Sequence, residues 1–454
     1  MESPGRYRSQ FPPLARLGYD ITSMILGHVS NSDLGKLCLV NSATRALVEP
    51  VLYSEFTWTW SQQNPPALIL FMRTILGRTD LAAHTKSVKL LDSHPPPPTD
   101  RRVPRLYLPT ALLNVSKATY ALNIKLARHL QLRTARIAEG DLSLLVVILL
   151  SQLRSLRSIQ LGRGFTYRTT LITKLGTGIL PLESNEPYFP HLRSIKYESL
   201  GHPNVSAPNR DEINRLWQVV QLPGIETASL GLDLPDISDS MFQSQEVCQI
   251  TTLEVAYLDE SFLHHLLSRM PKLKKLTWTS SKKVSSSHTH TIDLGQLQSA
   301  LQYVKDTLTH LTIKGRCDHV SSDSLRLTTT GSLCRLREFM VLKYLELPWQ
   351  FLVGFRPAQA VRIQDVIPEQ LESLVVTDKE FLPHSAWYTN NVNPEWNALA
   401  VLKILDPFLQ VWRTTHPWLT IFSFNLETMD RWRSNRRDAL NEMRRKYGLP
   451  NEVG

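Results

Sequence analysis

The chain has 454 residues, of which 42% are hydrophobic and 20% charged, so it has the length and apolar surface for two or three domains and is neither fibrous nor a solvated tail. Its net charge of +10 raises nucleic acid as a partner. The basic residues are dispersed, however, and the one dense run, RWRSNRRDALNEMRRK at 431–446, alternates with Asp438 and Glu442 as a solvated helix face does, so no nucleic-acid partner is expected.

In chain order, residues 1–13 have no apolar pattern and no hydrophobic leader, which predicts a disordered N-terminus without a secretory signal. Residues 14–92 are helical in pattern. Ile21, Met24, Ile25, His28 and Val29 lie on one helical stripe. Ser32 or Asp33 would cap a second helix carrying Leu34, Leu37 and Cys38. Asn41 or Ser42 would cap a third, ended by Pro50. Three short helices make a core too small to stand alone, so this unit should lean on the next domain or on a partner. The run DSHPPPPTDRRVP at 92–104 is a predicted linker or loop.

Beyond the prolines the texture changes. LSLLVVILLSQL at 142–153 falls well short of the roughly 20 residues of a membrane span and reads as a buried helix, so no membrane is expected. A spaced pattern, L-x-x-L-x-x-L-x-L, then recurs: LRSLRSIQL (153–161), FPHLRSIKY (189–197), LPGIETASL (222–230), ITTLEVAYL (250–258) and MPKLKKLTW (270–278). TLTHLTI (307–313), FMVLKYLEL (339–347), QLESLVV (370–376) and PWLTIFSF (417–424) continue it. Each ends in the apolar–x–apolar alternation of a short strand with one buried face. Helical stretches such as SFLHHLLSRM and LGQLQSALQYV lie between. Strand-plus-helix units at this spacing predict an α/β solenoid of irregular leucine-rich repeats, a horseshoe with parallel strands inside and helices outside. No G-x-G-x-x-G follows a strand to favour a dinucleotide fold.

Residues 17–53, LGYDITSMILGHVSNSDLGKLCLVNSATRALVEPVLY, resemble an F-box. Leu17, Ile21, Ile25, Leu26, Asp33, Leu34, Leu37, Val40, Pro50, Leu52 and Tyr53 match that pattern without a gap, while Gly18, Asp20 and Thr44 depart from it. The rest of the chain is similar to fungal F-box proteins with degenerate leucine-rich repeats, on RTDLAAHTKSVKL (78–90) and the later repeats. The organisation expected is a tail (1–13), an F-box (14–60), a helical transition and Pro-rich linker (61–104), repeats (105–425) and a basic C-terminal helix or tail (426–454).

The resemblance implies a non-catalytic substrate receptor of a Skp-cullin-F-box ubiquitin ligase. Leu17, Ile21, Ile25, Leu34, Leu37 and Val40 would meet a Skp-type adaptor, and through it a cullin. A repeat scaffold that recruits no ligase is the alternative, and an unrecognised α/β enzyme a third reading. In the repeats, residues alternating with the apolar positions would face a target protein: Tyr257, Lys275, Thr277, His310, Lys314 and Tyr344. Neither a cofactor nor a metal is expected. His288 and His290 in SHTHT lack further ligands, and the adjacent His264 and His265 diverge on a helix. The four scattered cysteines, Cys38, Cys248, Cys317 and Cys334, form no C-x-x-C pair, which argues for reduced thiols and a cytoplasmic or nuclear location.

Overall fold

The computed structural model describes residues 19–60, 67–92, 141–162, 165, 189–198, 217, 220–222, 224–231, 247–256, 258–283, 290–318, 327–354, 357–377, 398–425 and 434–448. The predicted N-terminal tail, the prolines past Asp92, Leu17, Gly18 and Tyr257 lie outside them. The chain divides into two compact units, Met1–Arg193 and Ser194–Gly454.

The first unit opens with helices α1 (Tyr19–Gly27), α2 (Asn31–Leu37) and α3 (Ser42–Leu52). Strand β1 (Glu55–Trp60), helices α4 (Ala67–Gly77) and α5 (Thr79–Ala82), strand β2 (Ser87–Asp92), helix α6 (Leu142–Ser151) and strand β3 (Ser158–Leu161) follow. The expectation that 14–92 is helical throughout is therefore corrected. EFTWTW and SVKLLD are strands, paired in parallel from Glu55↔Ser87 to Trp60↔Asp92, and β2 pairs with β3. In β1 the buried Phe56 and Trp58 alternate with exposed Glu55, Thr57 and Thr59, the period of two that a half-buried strand requires. Helix α6 is buried at every described side chain except Ser151, as its all-round apolar sequence demands.

Local chemistry sets the first three helices. The cap of α2 is Ser30, ahead of the expected Ser32 or Asp33, because Ser30 Oγ accepts from the Asp33 amide at 3.2 Å while donating to the Asp33 carboxylate at 2.8 Å. Asn41 caps α3, its Oδ1 accepting from the Thr44 amide at 2.7 Å. Pro50 does not end α3, which runs on to Leu52. A proline near the C-terminal end removes one helical bond, while Val48, Val51 and Leu52 on the same turns pack into the core and hold the backbone helical.

That core consists of Leu26, Leu34 and Val48, with Val29, Leu37, Cys38, Val51 and Leu52 against it. Each fully buried aliphatic contributes about 1.5–3 kcal/mol gross, against roughly 1–2 kcal/mol of backbone entropy for every residue ordered. The three helices are thus far from self-sufficient, and further contacts anchor them. Arg78 donates from both Nη atoms to Glu49, at 2.9 and 3.0 Å, and Arg45 Nε adds a third bond at 2.8 Å. The Arg78 bonds foremost hold the buried Glu49 carboxyl below the usual range. Tyr53 and Phe56 both stack on Phe71 of α4, with centroids 6.0 and 4.1 Å away.

The second unit contains β4 (Ser194–Glu198), β5 (Thr227–Gly231), β6 (Thr252–Ala256), α7 (Glu260–Leu267), β7 (Lys275–Lys283), β8 (His290–Asp293) and α8 (Leu294–Leu301). It continues with β9 (His310–Asp318), β10 (Leu327–Thr330), β11 (Tyr344–Pro348), α9 (Trp349–Val353), β12 (Ser373–Thr377), α10 (Ala398–Thr415), β13 (Ile421–Asn425) and α11 (Ser434–Tyr447). Its main sheet has the order β4-β5-β6-β7-β9-β11-β12-β13, every pair parallel, and β8 pairs with β10 as a separate ribbon. The arrangement is α/β, and the predicted segments here contain strands, but in ITTLEVAYL the strand is Thr252–Ala256, with Leu253 and Val255 as its buried pair in place of the expected Ala256 and Leu258.

One apolar row of this sheet runs Ile195, Ala228, Leu253, Leu276, Leu311, Leu345, Leu374 and Phe422, all buried and in register. Trp278 in the next row is fully buried, and its indole Nε1 donates to the Leu258 carbonyl at 2.9 Å. The strand starts are aligned by a ladder of backbone hydrogen bonds. The Thr251 carbonyl accepts from the amides of Lys274 and Lys275, Lys274 does the same for Thr309 and His310, Thr309 for Lys343 and Tyr344, and Lys343 for Glu372 and Ser373. At Gly331, φ is +74° and an added Cβ would lie 2.4 Å from the Gly295 amide nitrogen, so the chain passes the start of α8 closer than any side chain permits. The basic C-terminal segment is a helix docked on this unit. Leu440 is buried, Tyr447 Oη donates to Asp406 at 2.9 Å, and Arg444 Nη2 donates to the Phe424 carbonyl of β13 at 3.0 Å.

Candidate functional site

Two surfaces stand out, one in each unit. In the first, α1 turns Thr22 and Leu26 inward, Val29 packs on the core from the turn that follows, and Ile21, Met24 and Ile25 are left outside, exposed by 53%, 70% and 45%. The stripe read from the sequence is thus largely the outward one. Leu39 and Val40, in the turn between α2 and α3, are 85% and 65% exposed. Among the expected adaptor contacts, Ile21, Ile25 and Val40 are presented to solvent. Leu34 is a core residue at 2% exposure, and Leu37 is half-buried against the same core. Met24 and Leu39 were not singled out as contacts. The run LCLV carried the signal for Leu39, since four consecutive apolar residues leaving a helix cannot all turn to one core.

In the second unit, the face opposite the apolar rows is polar. Register places Lys275, His310, Tyr344, Ser373 and Ile421 in one row across adjacent strands. The next row is Lys196, Ser229, Glu254, Thr277, Thr312, Glu346 and Val375. Lys314 is paired with Thr279 one row further on. Five of the six expected target-facing residues, Lys275, Thr277, His310, Lys314 and Tyr344, therefore share one face, and Tyr257 lies outside the described residues.

Contacts among these groups sort them by availability. Tyr344 Oη donates to Glu346 Oε2 at 2.9 Å, and Thr312 Oγ1 donates to the same oxygen at 3.5 Å. Burial first, then this bond, pushes the Tyr344 phenol up to about 12. The His310 ring stacks on Tyr344 at 5.9 Å between centroids and 25° between planes. Its Nδ1 shares a hydrogen bond with Thr309 Oγ1 at 2.9 Å. Burial, and after it the Lys275 ammonium, lowers the His310 pKa, so the ring is neutral at pH 7. Ser229 Oγ donates to Glu254 at 2.9 Å, and Lys196 pairs with Glu198 at 3.2 Å. Lys275 and Lys314 make no hydrogen bond or ion pair among the described residues.

Among the described residues no group of three or more His, Cys, Asp or Glu side chains is placed to hold a metal ion, and no helix is long and apolar enough to cross a membrane. His264 bonds Tyr303 Oη at 3.0 Å, and the side chains of His288 and His290 fall outside the described set. Cys38 is half-buried on the three-helix core, where burial raises its thiol pKa, the reverse of an activated nucleophile.

Taken together, the geometry defines a class: an α/β protein whose parallel strands bury one face and present the other, with a small helical unit that exposes an apolar stripe. No protein-family model matches the chain, and comparison with curated protein sequences finds no match.

Proposed function

We propose that the chain is a non-catalytic substrate receptor of a Skp-cullin-F-box type ubiquitin ligase, with an F-box in its N-terminal helices and degenerate leucine-rich repeats beyond. The observation that carries the reading is the outward apolar stripe of Ile21, Met24 and Ile25 with Leu39 and Val40, on helices too small to be stable alone. Such a surface gains most by burial in an apolar groove on another chain, as in helix-in-groove recognition. The polar sheet face, mixed in charge and bearing Tyr344 and His310, suits a protein target better than a small molecule. Joining both surfaces in one chain would raise the effective concentration of a bound target beside the conjugating machinery, and the receptor itself would supply no acid, base or nucleophile.

Co-purification of the full chain with a Skp-type adaptor and cullin tests this. Recovery of both is expected, and their absence even at low salt would leave a repeat scaffold that recruits no ligase.

A further inference from the structure

The polar sheet face carries an unusual distribution of charge along the seam between β7 and β9. Lys275 begins β7 in the same row as His310 of β9. Lys314 lies four positions further along β9, paired with Thr279 of β7. At about 3.3 Å per strand residue, the two ammonium-bearing positions are separated by about 13 Å along the seam. Between them are only hydroxyls, Thr277 and Thr312, paired in register. The carboxylates of that middle row, Glu254 and Glu346, are set one strand to either side. Each is already engaged, Glu254 by Ser229 and Glu346 by Tyr344, whereas both lysines are exposed and hold no partner among the described residues.

From this arrangement we infer that the seam binds an extended segment of a partner protein that carries two acidic residues four positions apart, with small or polar residues between. An extended chain laid along β7 and β9 has the same rise as the strands beneath it, so side chains four apart match the two lysines. The central row accepts hydroxyls and backbone amides there and, with Glu254 and Glu346 beside it, rejects a third acid at the centre. The inference rests on the reading of this face as the target-binding surface and names the chemistry of the target.

Two dye-labelled nine-residue peptides of equal charge test it with the full chain by fluorescence anisotropy. One has a Glu-Ser-Ala-Ser-Glu core and the other a Glu-Ser-Glu core. The first should bind more tightly. Lys275→Glu or Lys314→Glu should weaken it roughly tenfold, because a surface charge pair is replaced by a repulsion of similar size. Lys403→Glu on α10, an equal change in net charge away from the face, should leave binding within about twofold. Equal binding of the two spacings, or equal weakening by Lys403→Glu, would overturn the inference. So would displacement of the peptide by a ten-nucleotide oligouridylate that binds more tightly, which would assign the seam to nucleic acid. Adaptor co-purification from the same preparations separates the two levels. Adaptor bound with no spacing preference overturns this inference alone, whereas a spacing preference without adaptor overturns the ligase reading and leaves the peptide chemistry standing.

Discussion

Substituting Ile21 and Ile25 by alanine should separate docking from folding. The two side chains are 53% and 45% exposed, so roughly half of each is already covered by the first unit and the remainder is open to a partner. Full burial of an isoleucine contributes about 1.5–3 kcal/mol, so covering the open half adds about 1 kcal/mol for each residue. The double variant should therefore lose about 2 kcal/mol of adaptor binding, roughly a 30-fold rise in Kd. The apparent melting temperature should fall little, since exposed positions away from caps and networks change stability by about 0.5 kcal/mol or less. Leu34→Ala is the contrasting probe. At 2% exposure it creates a cavity in the three-helix core and should cost about 2–5 kcal/mol of stability. Adaptor titration by biolayer interferometry, with thermal melts of the same samples, reads both quantities. An unchanged Kd for the double variant, or a melt lowered as far as in Leu34→Ala, would show that the stripe is structural rather than a docking surface.

Other outcomes follow from the second unit. Gly331→Ala combines a left-handed backbone with a Cβ placed 2.4 Å from the Gly295 nitrogen, so it should destabilise by about 1–3 kcal/mol, read as a lower melting temperature. Trp278→Phe leaves the Leu258 carbonyl without its indole donor and opens a gap beside a fully buried ring, at a cost of about 2 kcal/mol in urea unfolding. His416 is buried, its Nε2 donating to the Ile367 carbonyl at 3.3 Å, and burial foremost lowers its pKa from 6.5. The neutral ring is thus favoured in the folded state. Its stabilising effect is complete above pH 6.5 and declines as the pH falls below that value toward the folded-state pKa. His416→Gln should flatten the fall in melting temperature over that range more than His310→Gln, which acts in the same direction from a less buried position.

Legibility in the sequence differed between the layers of the fold. Strands such as FMVLKYLEL and MPKLKKLTW were readable because the alternation that buries Leu345 and Leu347, or Leu276 and Trp278, is written directly into composition. EFTWTW was equally periodic but was absorbed into a region whose helices dominate the pattern, and SVKLLD has too few polar breaks to announce a strand. The polar face was legible for the same reason of alternation, since a period of two puts Lys275, Thr277, His310, Lys314 and Tyr344 on one side whatever lies between the strands. The division of Ile21, Ile25 and Val40 from Leu34 and Leu37 was not legible. All five are apolar on short helices, and only the tertiary placement of Leu26 and Val48 decides which side is covered.

The carbonyl ladder at the strand starts has a consequence for how such a chain can change. Strands β6, β7, β9, β11, β12 and β13 are each aligned by two amides reaching back to the preceding carbonyl, a device that needs no particular side chain and no fixed distance along the sequence. Three threonines add a hydroxyl bond to the same carbonyls across sequence separations of 25, 35 and 48 residues, with the same local geometry. Connections between strands can thus lengthen at only a logarithmic cost in closure entropy while the ladder stays in step. The polar face is insulated from the growth or loss of the segments behind it, so the two can diverge independently.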